Sequence, residues 1–310
     1  MPTAAILRHL GARAFQPYQT TVSASGAALV ETTFRGDLFI DALRPRMVTG
    51  QLGARTIGGL KGDIQIPRKV TASTGYWLSA SGSPVQSGAI TESEATFDAT
   101  PLIVAPCLIG AYGVMSRLLL QTSPLADEII ANDLLNVLAI ALDYAAIQGA
   151  GSGGAPTGIT NQSSINAVSG TSFSYATSVT ALTDLTTANA IRNRRTLGWA
   201  ASPGVAGTLA QRFKVPTYSF SPIWGGSADT GEINGHLALA TNNVPASTAI
   251  FGDWSQVLIL EWGDEDAPIE VEVNHFGSGC STGDVQIRAM LSANVAIRHP
   301  QSFSVVSSIT

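Results

Sequence analysis

The chain has 310 residues, of which 45% are hydrophobic and only 13% charged, and its formal net charge is -5. The length exceeds one average domain and allows two, and the acidic balance excludes a dedicated nucleic-acid binder built on a basic patch. A charged share this far below the usual ~25% leaves little charge to disperse a monomer, so the surface is either covered by neighbours or coated with neutral polar groups; an obligate assembly and a neutral, secreted β-rich protein both fit.

Residues 1–34 show weak periodicity and many small side chains. They read as an extended arm carrying Ile6, Leu7, Leu10 and Phe15, with a frayed terminus as the alternative. Arg8 and Arg13 precede no apolar stretch adequate for a signal peptide. Residues 34–43 suggest a short helix with Phe39, Ile40 and Leu43 inward. Between 55 and 100, Gly, Ser and Thr alternate with apolar residues. Ile64, Ile66 and Val70 mark one strand, Tyr76, Trp77 and Leu78 begin a returning one, and Gly82, Pro84 and Gly88 punctuate them. Such a ribbon is marginal unless it lies on something. Residues 96–115 read as apolar strands interrupted at Pro101 and Pro106, hence edge or bent strands, with Cys107 as a buried small hydrophobe.

The strongest local signal spans 124–148. Ser123 is a natural N-cap, Pro124 suits the first helical position, and Asp127 and Glu128 favour the positive end of the helix dipole. The predicted helix has about 25 residues and a length of roughly 37 Å, against an average near 11. Leu125, Ile129, Ile130, Leu134, Leu138, Leu142 and Ala145 form one apolar stripe, with Ile130, Leu134, Leu138 and Leu142 as its expected core. Asn132, Asp133, Asn136 and Asp143 dilute the remainder, and Gly149 is expected to end the helix in the left-handed region. Beyond the glycine-rich turn, Val179, Leu182, Leu185, Ala188 and Ile191 predict a helix over 178–192. The cluster Arg192, Arg194 and Arg195 reads as solvated cations at its C-terminal end, in preference to phosphate contacts. A strand at 196–201, a short helix opened by Pro203, and strands at 249–251 and 257–262 follow. Ile269, Val271 and Val273 alternating with Glu270 and Glu272 predict a half-buried strand.

No enzyme chemistry emerges. The glycine run after Gln148 follows a helix and lacks the closing Lys-Ser/Thr of a phosphate loop, so it reads as a cap and turn. His9, His236, His275 and His299 have no metal-ligand spacing, and His299 beside Pro300 reads as structural. No Gly-x-Ser-x-Gly elbow occurs. Cys107 and Cys280, the only cysteines, make neither a disulfide framework nor a zinc pattern. Asp264, Glu265 and Asp266 read as a solvated turn, with a cation site at a subunit junction as the weaker alternative. No run of about 18 uninterrupted apolar residues suggests a membrane span.

Three stretches in order carry a resemblance. The first runs from Met115 to Gln121, through the long helix, to Gly153, Gly154, Ala155, Pro156, Thr157 and Gly158. The second joins Phe251, Gly252, Asp253 and Trp254 to Val257–Glu261, then Ile287, Arg288 and Ala289, then Val295 to Pro300 with Phe303. The third is Ile64 to Arg68. Together they resemble the major capsid proteins of tailed bacteriophages, the Hong Kong 97-like fold, from about residue 35 to the end. The resemblance implies an α+β fold with an axial domain, a peripheral domain carrying the spine helix, an extended β-hairpin loop and an N-terminal arm. The implied division is arm and short helix 1–54, extended loop 55–95, peripheral domain 96–174, axial domain 175–284, and a return to the peripheral domain over 285–310.

That resemblance implies pentamers and hexamers closing an icosahedral virion shell around double-stranded DNA, assembled in the host bacterial cytoplasm. It implies no enzyme activity, cofactor, metal or membrane. The implied partners are copies of the chain itself, a portal, and separate scaffold, protease or decoration proteins. An encapsulin-like compartment housing cargo enzymes is the nearest alternative. Phe15, Arg68, Lys69, Tyr76 and Trp77 are the expected subunit contacts, with the arm docked on a neighbour and Trp77 an anchor. Some relatives weld subunits by a lysine–asparagine bond assisted by glutamate. Lys61 and Lys69 could donate, but the asparagine position falls on Gly283 and the glutamate position on Met290, so no such cross-link is expected. Many relatives also carry about 100 extra N-terminal scaffolding residues; the sequence opens at Met1 without them. The expected scaffold is a separate protein, or the chain is a matured or re-engineered one.

Overall fold

The structure, a computed structural model, describes residues 44, 47–67, 102–118, 126–215, 221–264, 268–274 and 284–310. The expected arm and short helix, Val70 and the returning strand, Pro101, the helix cap at Ser123 and Pro124 with Leu125, and Cys280 lie outside these residues. The elements in order begin with α1 (Thr49–Leu52), β1 (Arg55–Leu60), β2 (Ile64–Ile66), β3 (Leu102–Val104), β4 (Cys107–Ser116) and α2 (Ala126–Gln148). Next come β5 (Asn166–Ser169), α3 (Tyr175–Thr187), β6 (Leu197–Ala201), α4 (Pro203–Gln211), β7 (Gly225–Gly226), β8 (Thr230–Ile233) and β9 (His236–Ala240). The chain closes with β10 (Ala249–Asp253), β11 (Val257–Trp262), β12 (Ile269–Asn274), β13 (Asp284–Ile297) and β14 (Phe303–Ser307).

The long helix α2 has 23 residues, a rod of about 34 Å. Leu134, Leu138 and Leu142, spaced four apart, are buried, and Ile130 is half-buried against the same cluster. They meet Ala111 of β4 and Ala289, Leu291, Ala293 and Val295 of β13. Ala111 lies directly opposite Ala289; these small side chains let the helix approach the sheet. By length and composition Ile129–Gln148 could cross a membrane, yet its apolar stripe is spent on this sheet.

Asp143 corrects one expectation. It does not dilute an outer face: it is 4% exposed. Its Oδ1 accepts from Val48 N (3.1 Å), Thr49 N (2.9 Å) and Thr49 Oγ1 (2.6 Å), and its Oδ2 from Asn243 Nδ2 (2.6 Å). Val48 is the N-cap of α1 and has no capping oxygen, so the carboxylate of α2 supplies the cap from 95 residues away. Gly149 brings a second correction. It is not among the positive-φ glycines. A Cβ there would sit 2.2 Å from Pro156 O and 2.5 Å from Ala145 O, so close backbone approach, not the left-handed region, demands glycine. Left-handed residues come later in the turn, at Gly151, Gly153 and Gly154.

Two main sheets follow. One has five strands, in which β11 and β12 both run antiparallel to β13, β1 joins β11 in parallel, and β4 flanks the far side of β13. The other has seven, in the order β5-β14-β10-β6-β9-β8-β7. The two sheets exchange strands late in the chain. β11 and β12, before residue 284, pair with β13, while β14, after it, pairs with β10 and β5. Hydrogen bonding follows register, not sequence order. One face of the seven-stranded sheet packs Trp199, Phe251 and Ala201 against Leu185 of α3 and Val205 and Leu209 of α4. Its other face, with Ala200, Ile250 and Phe303, joins the core under α2.

Helix α3 starts three residues before its expected position, because Ser174 and Thr177 form a reciprocal capping box. It ends at Thr187, and Asn189 takes φ 50°, so Arg192, Arg194 and Arg195 lie beyond it and not on its last turn. The backbone there is held by Asp253, which is fully buried. Its carboxylate accepts from Arg192 N (3.0 Å), Asn193 N (2.9 Å), Thr196 Oγ1 (2.6 Å), Ser255 N (3.1 Å) and Ser255 Oγ (2.7 Å). Burial pushes this carboxyl up, but the hydrogen bonds outweigh it and hold the pKa below its ordinary value.

Candidate assembly surface

The five-stranded sheet has two unlike faces. Alternation along β4 sends Ala111 and Met115 to the helix side and Leu108, Tyr112 and Val114 outward. The outward three are 66%, 79% and 54% exposed. Register places Tyr112 opposite Arg288, and Arg288 opposite Glu272, so the three form one row across β4, β13 and β12. Arg288 Nε and Nη2 donate to Glu272 Oε2 at 2.6 and 2.5 Å. Half-exposed as it is, this pair stabilises little. A cleft of about 350 Å³ lies beside the row, lined by Gly110, Tyr112, Gln286, Arg288 and Met290.

Further along, the same face is covered. Leu258, Leu260, Trp262 and Ala296 pack under the β2–β3 ribbon through Ile64, Ile66, Leu102 and Val104. Trp262 Nε1 donates to Gly62 O at 2.6 Å. The ribbon's last pair is Ile66 with Leu102, and residues 68–101 belong between them in sequence. One stretch of the face is thus buried by the chain itself and the adjoining stretch is bare. β12 differs from its expected half-burial: Val271 and Val273 are 54% and 52% exposed, so little lies over the face that they share. Among the described residues β4 and β12 are edge strands, a position that can take a further strand. Leu135, Val137 and Tyr144 add exposed apolar surface on α2.

Of the expected contact residues, Phe15, Arg68, Lys69, Tyr76 and Trp77 all lie outside the described residues. The apolar row on β4 was missed, although its signal was present: residues 108–115 are apolar or small at odd and even positions alike, as expected of a strand to be covered on both faces. Among the described residues no three His, Cys, Asp or Glu side chains cluster to hold a metal. Cys107 is half-buried, not fully buried as expected; it takes a contact from Asn294 Nδ2 at 3.4 Å, and burial pushes its thiol pKa up. His236 stacks near Phe251, with ring centroids 5.4 Å apart, and burial lowers its pKa. Met290 is on the outward face; Gly283, His9, His275, Glu265 and Asp266 lie outside the described residues.

Comparison with known proteins agrees with this architecture. The capsid chain of a native GTA particle superposes with a TM-score of 0.70 at 18% identity, covering 93% of this chain and 98% of that one. A chain from Gordonia phage Cozz gives 0.62 at 16% identity, covering 96% and 97%. At such identities these likenesses show the fold, the Hong Kong 97-like capsid fold. In sequence, the major capsid protein of Halomonas phage phiHAP-1 is 30% identical over 281 residues, covering 90% of this chain. This chain spans 44% of the length of that relative. The model of the phage capsid family matches residues 26–308, nearly the whole sequence, and the chain therefore belongs to the phage capsid family, a family of structural proteins.

Proposed function

We propose that the chain is the major capsid protein of a tailed phage or a related gene-transfer particle, assembling with its own copies into an icosahedral virion shell. One observation carries the reading beyond family membership. A sheet buries one face under α2 and part of the other under its own ribbon, then leaves Leu108, Tyr112 and Val114 exposed on a strand that is an edge among the described residues. A contiguous apolar patch of this kind marks an interaction surface. In a shell, copies cover it, each contact contributing about 25 cal/mol per Å² of apolar area before association costs.

In this reading the seven-stranded sheet with α3 and α4 is the axial domain, and the five-stranded sheet with α2 is the peripheral one. Residues 68–101 form the extended loop, with Arg68, Lys69, Tyr76 and Trp77 at its neighbour contacts, and Phe15 lies in a docking arm. Double-stranded DNA is the enclosed cargo, held without sequence-specific contacts, and portal, scaffold, protease and decoration proteins are separate partners. Negative-stain electron microscopy with size-exclusion chromatography tests the reading. Closed shells, or rings of five and six, are the expected result. A monomer at all concentrations, with and without the neighbouring gene products, would overturn it, and shells packed with enzymes in place of DNA would reassign the cargo.

A further inference from the structure

We propose that Asn234 is a deamidation site that the folded subunit holds shut through Ser178, and that conversion there loosens the β8–β9 hairpin from α3. Asn234–Gly235 is the only Asn-Gly pair in the sequence, the dipeptide most prone to this reaction because glycine has no side chain to shield its amide nitrogen. The Gly235 nitrogen attacks Cγ of Asn234, the Cγ–Nδ2 bond breaks, and ammonia leaves with the amide proton. Water then opens the five-membered imide at either of its carbonyls, leaving aspartate or isoaspartate. The reaction needs no other co-reactant and no neighbouring copy.

The hairpin and α3 together oppose the attack. The last pair of β8 and β9 is Ile233 with His236, so Asn234 and Gly235 are a two-residue loop, and their φ values of 54° and 74° are those of a type I′ turn. In the left-handed region ψ lies near about +47°, which turns the Gly235 nitrogen away from the Asn234 side chain. That side chain is fixed as well. Asn234 Nδ2 donates to Ser178 Oγ at 2.8 Å, and Ser178, fully buried on α3, donates its own hydrogen to Tyr175 O at 2.7 Å. With that hydrogen spent, Ser178 Oγ accepts from the amide, which assigns the amide's nitrogen and oxygen.

The amide oxygen points the same way. Asn234 Oδ1 is buried with no hydrogen-bond partner among the described residues, and an orphaned polar atom of this kind calls for an explanation. Attack on Cγ puts negative charge on this oxygen, and enzymes speed such steps by aiming donors at it. Here it has none, and the charge would develop away from water at a high cost. The site is the reverse of an oxyanion hole. The same atom makes the product a poor fit. Aspartate would bury a charged oxygen without a donor, and Ser178 could answer it only by leaving Tyr175 O. Isoaspartate lengthens the main chain by one carbon inside a two-residue loop. A chain that dwells unfolded thus converts and then docks its hairpin badly on α3, while a folded one keeps its amide.

The test ages native subunits at mildly alkaline pH, which favours the attacking amide anion, and reads aspartate and isoaspartate at position 234 by peptide mass mapping. Wild-type subunits should convert roughly tenfold or more below the rate of the same chain in urea. Ser178→Ala should speed conversion in the native state roughly fivefold, the rate equivalent of one ordinary hydrogen bond, and leave the rate in urea unchanged. Ala181→Gly, also on α3 and fully buried, loosens the helix without touching the amide and should speed conversion less. Asn234→Asp should lower the melting temperature of the subunit. Native and urea-unfolded wild type converting at one rate, or Ser178→Ala converting at the wild-type rate, would overturn the proposal. Ala181→Gly converting as fast as Ser178→Ala would assign the protection to folding in general and overturn the role of Ser178. Asn234→Asp subunits melting with wild type would overturn the loosening of the hairpin.

Discussion

Replacing Asp143 with alanine should cost about 3–5 kcal/mol, the range for breaking a buried charged network. Four hydrogen bonds end on this carboxylate, two of them at 2.6 Å. At about 1.5–3 kcal/mol for each bond to a charged group, simple addition would give more. Three effects reduce it: the desolvation cost of the charge is relieved, Thr49 and Asn243 can rotate, and water can enter the space. The amides of Val48 and Thr49 cannot rotate away, since they open α1, and α1 is what Gly198 admits to the sheet: a Cβ there would meet Leu52 Cδ2 at 2.7 Å. Asp143→Asn keeps an acceptor for both amides. It needs only a turn of the Asn243 side chain to restore the fourth bond, so its cost should be nearer 1–2 kcal/mol. Urea unfolding of the unassembled subunit measures both. An alanine variant within about 0.5 kcal/mol of wild type, the usual range for inert surface changes, would refute the claim that this carboxylate ties α1 and the Asn243 loop to the spine.

Gly149→Ala should cost several kcal/mol or abolish soluble subunit, because its Cβ meets backbone that cannot yield. Gly153→Ala, at φ 65° in open space, should cost only about 1–2 kcal/mol; melting temperatures and soluble yield compare the two. Acid should destabilise the subunit in two steps. The contribution of His236, whose pKa is lowered by burial, begins to fade as pH drops below about 6.5, its ordinary value. That of Asp253, also lowered, is present above the ordinary carboxylate value near 3.9 and is lost as pH falls through the folded value. His236→Phe should remove the upper step of a melting-temperature titration and leave the lower. Tyr112→Ser should leave subunit stability within about 0.5 kcal/mol but weaken shells, since covering a tyrosine of roughly 150 Å² contributes up to about 4 kcal/mol before association costs; denaturant dissociation of shells reads this. Trp77→Ala should likewise impair shells more than subunit folding, and unchanged particle yield and melting would count against an anchor there.

The sequence by itself determined the elements whose signals are local. The spine helix was legible because Leu134, Leu138 and Leu142 recur at its period and a glycine run stops it. The helix opened by Pro203 and the strand at 257–262 were legible for the same reason, and the order of motifs pointed to the family before any contact was visible. Tertiary structure alone decided everything that depends on partners distant in the chain. Asp143 reads as one more polar residue on a helix until Val48 and Asn243, 95 and 100 positions away, turn out to aim their donors at it. The valines of β12 alternate as a half-buried strand should, yet alternation says which residues share a face and not whether anything lies on that face. β14 follows β13 by a few residues and still belongs to the other sheet. Period and capping are properties of neighbouring residues, whereas burial, register and the pairing of a buried charge exist only once the chain has brought distant segments together.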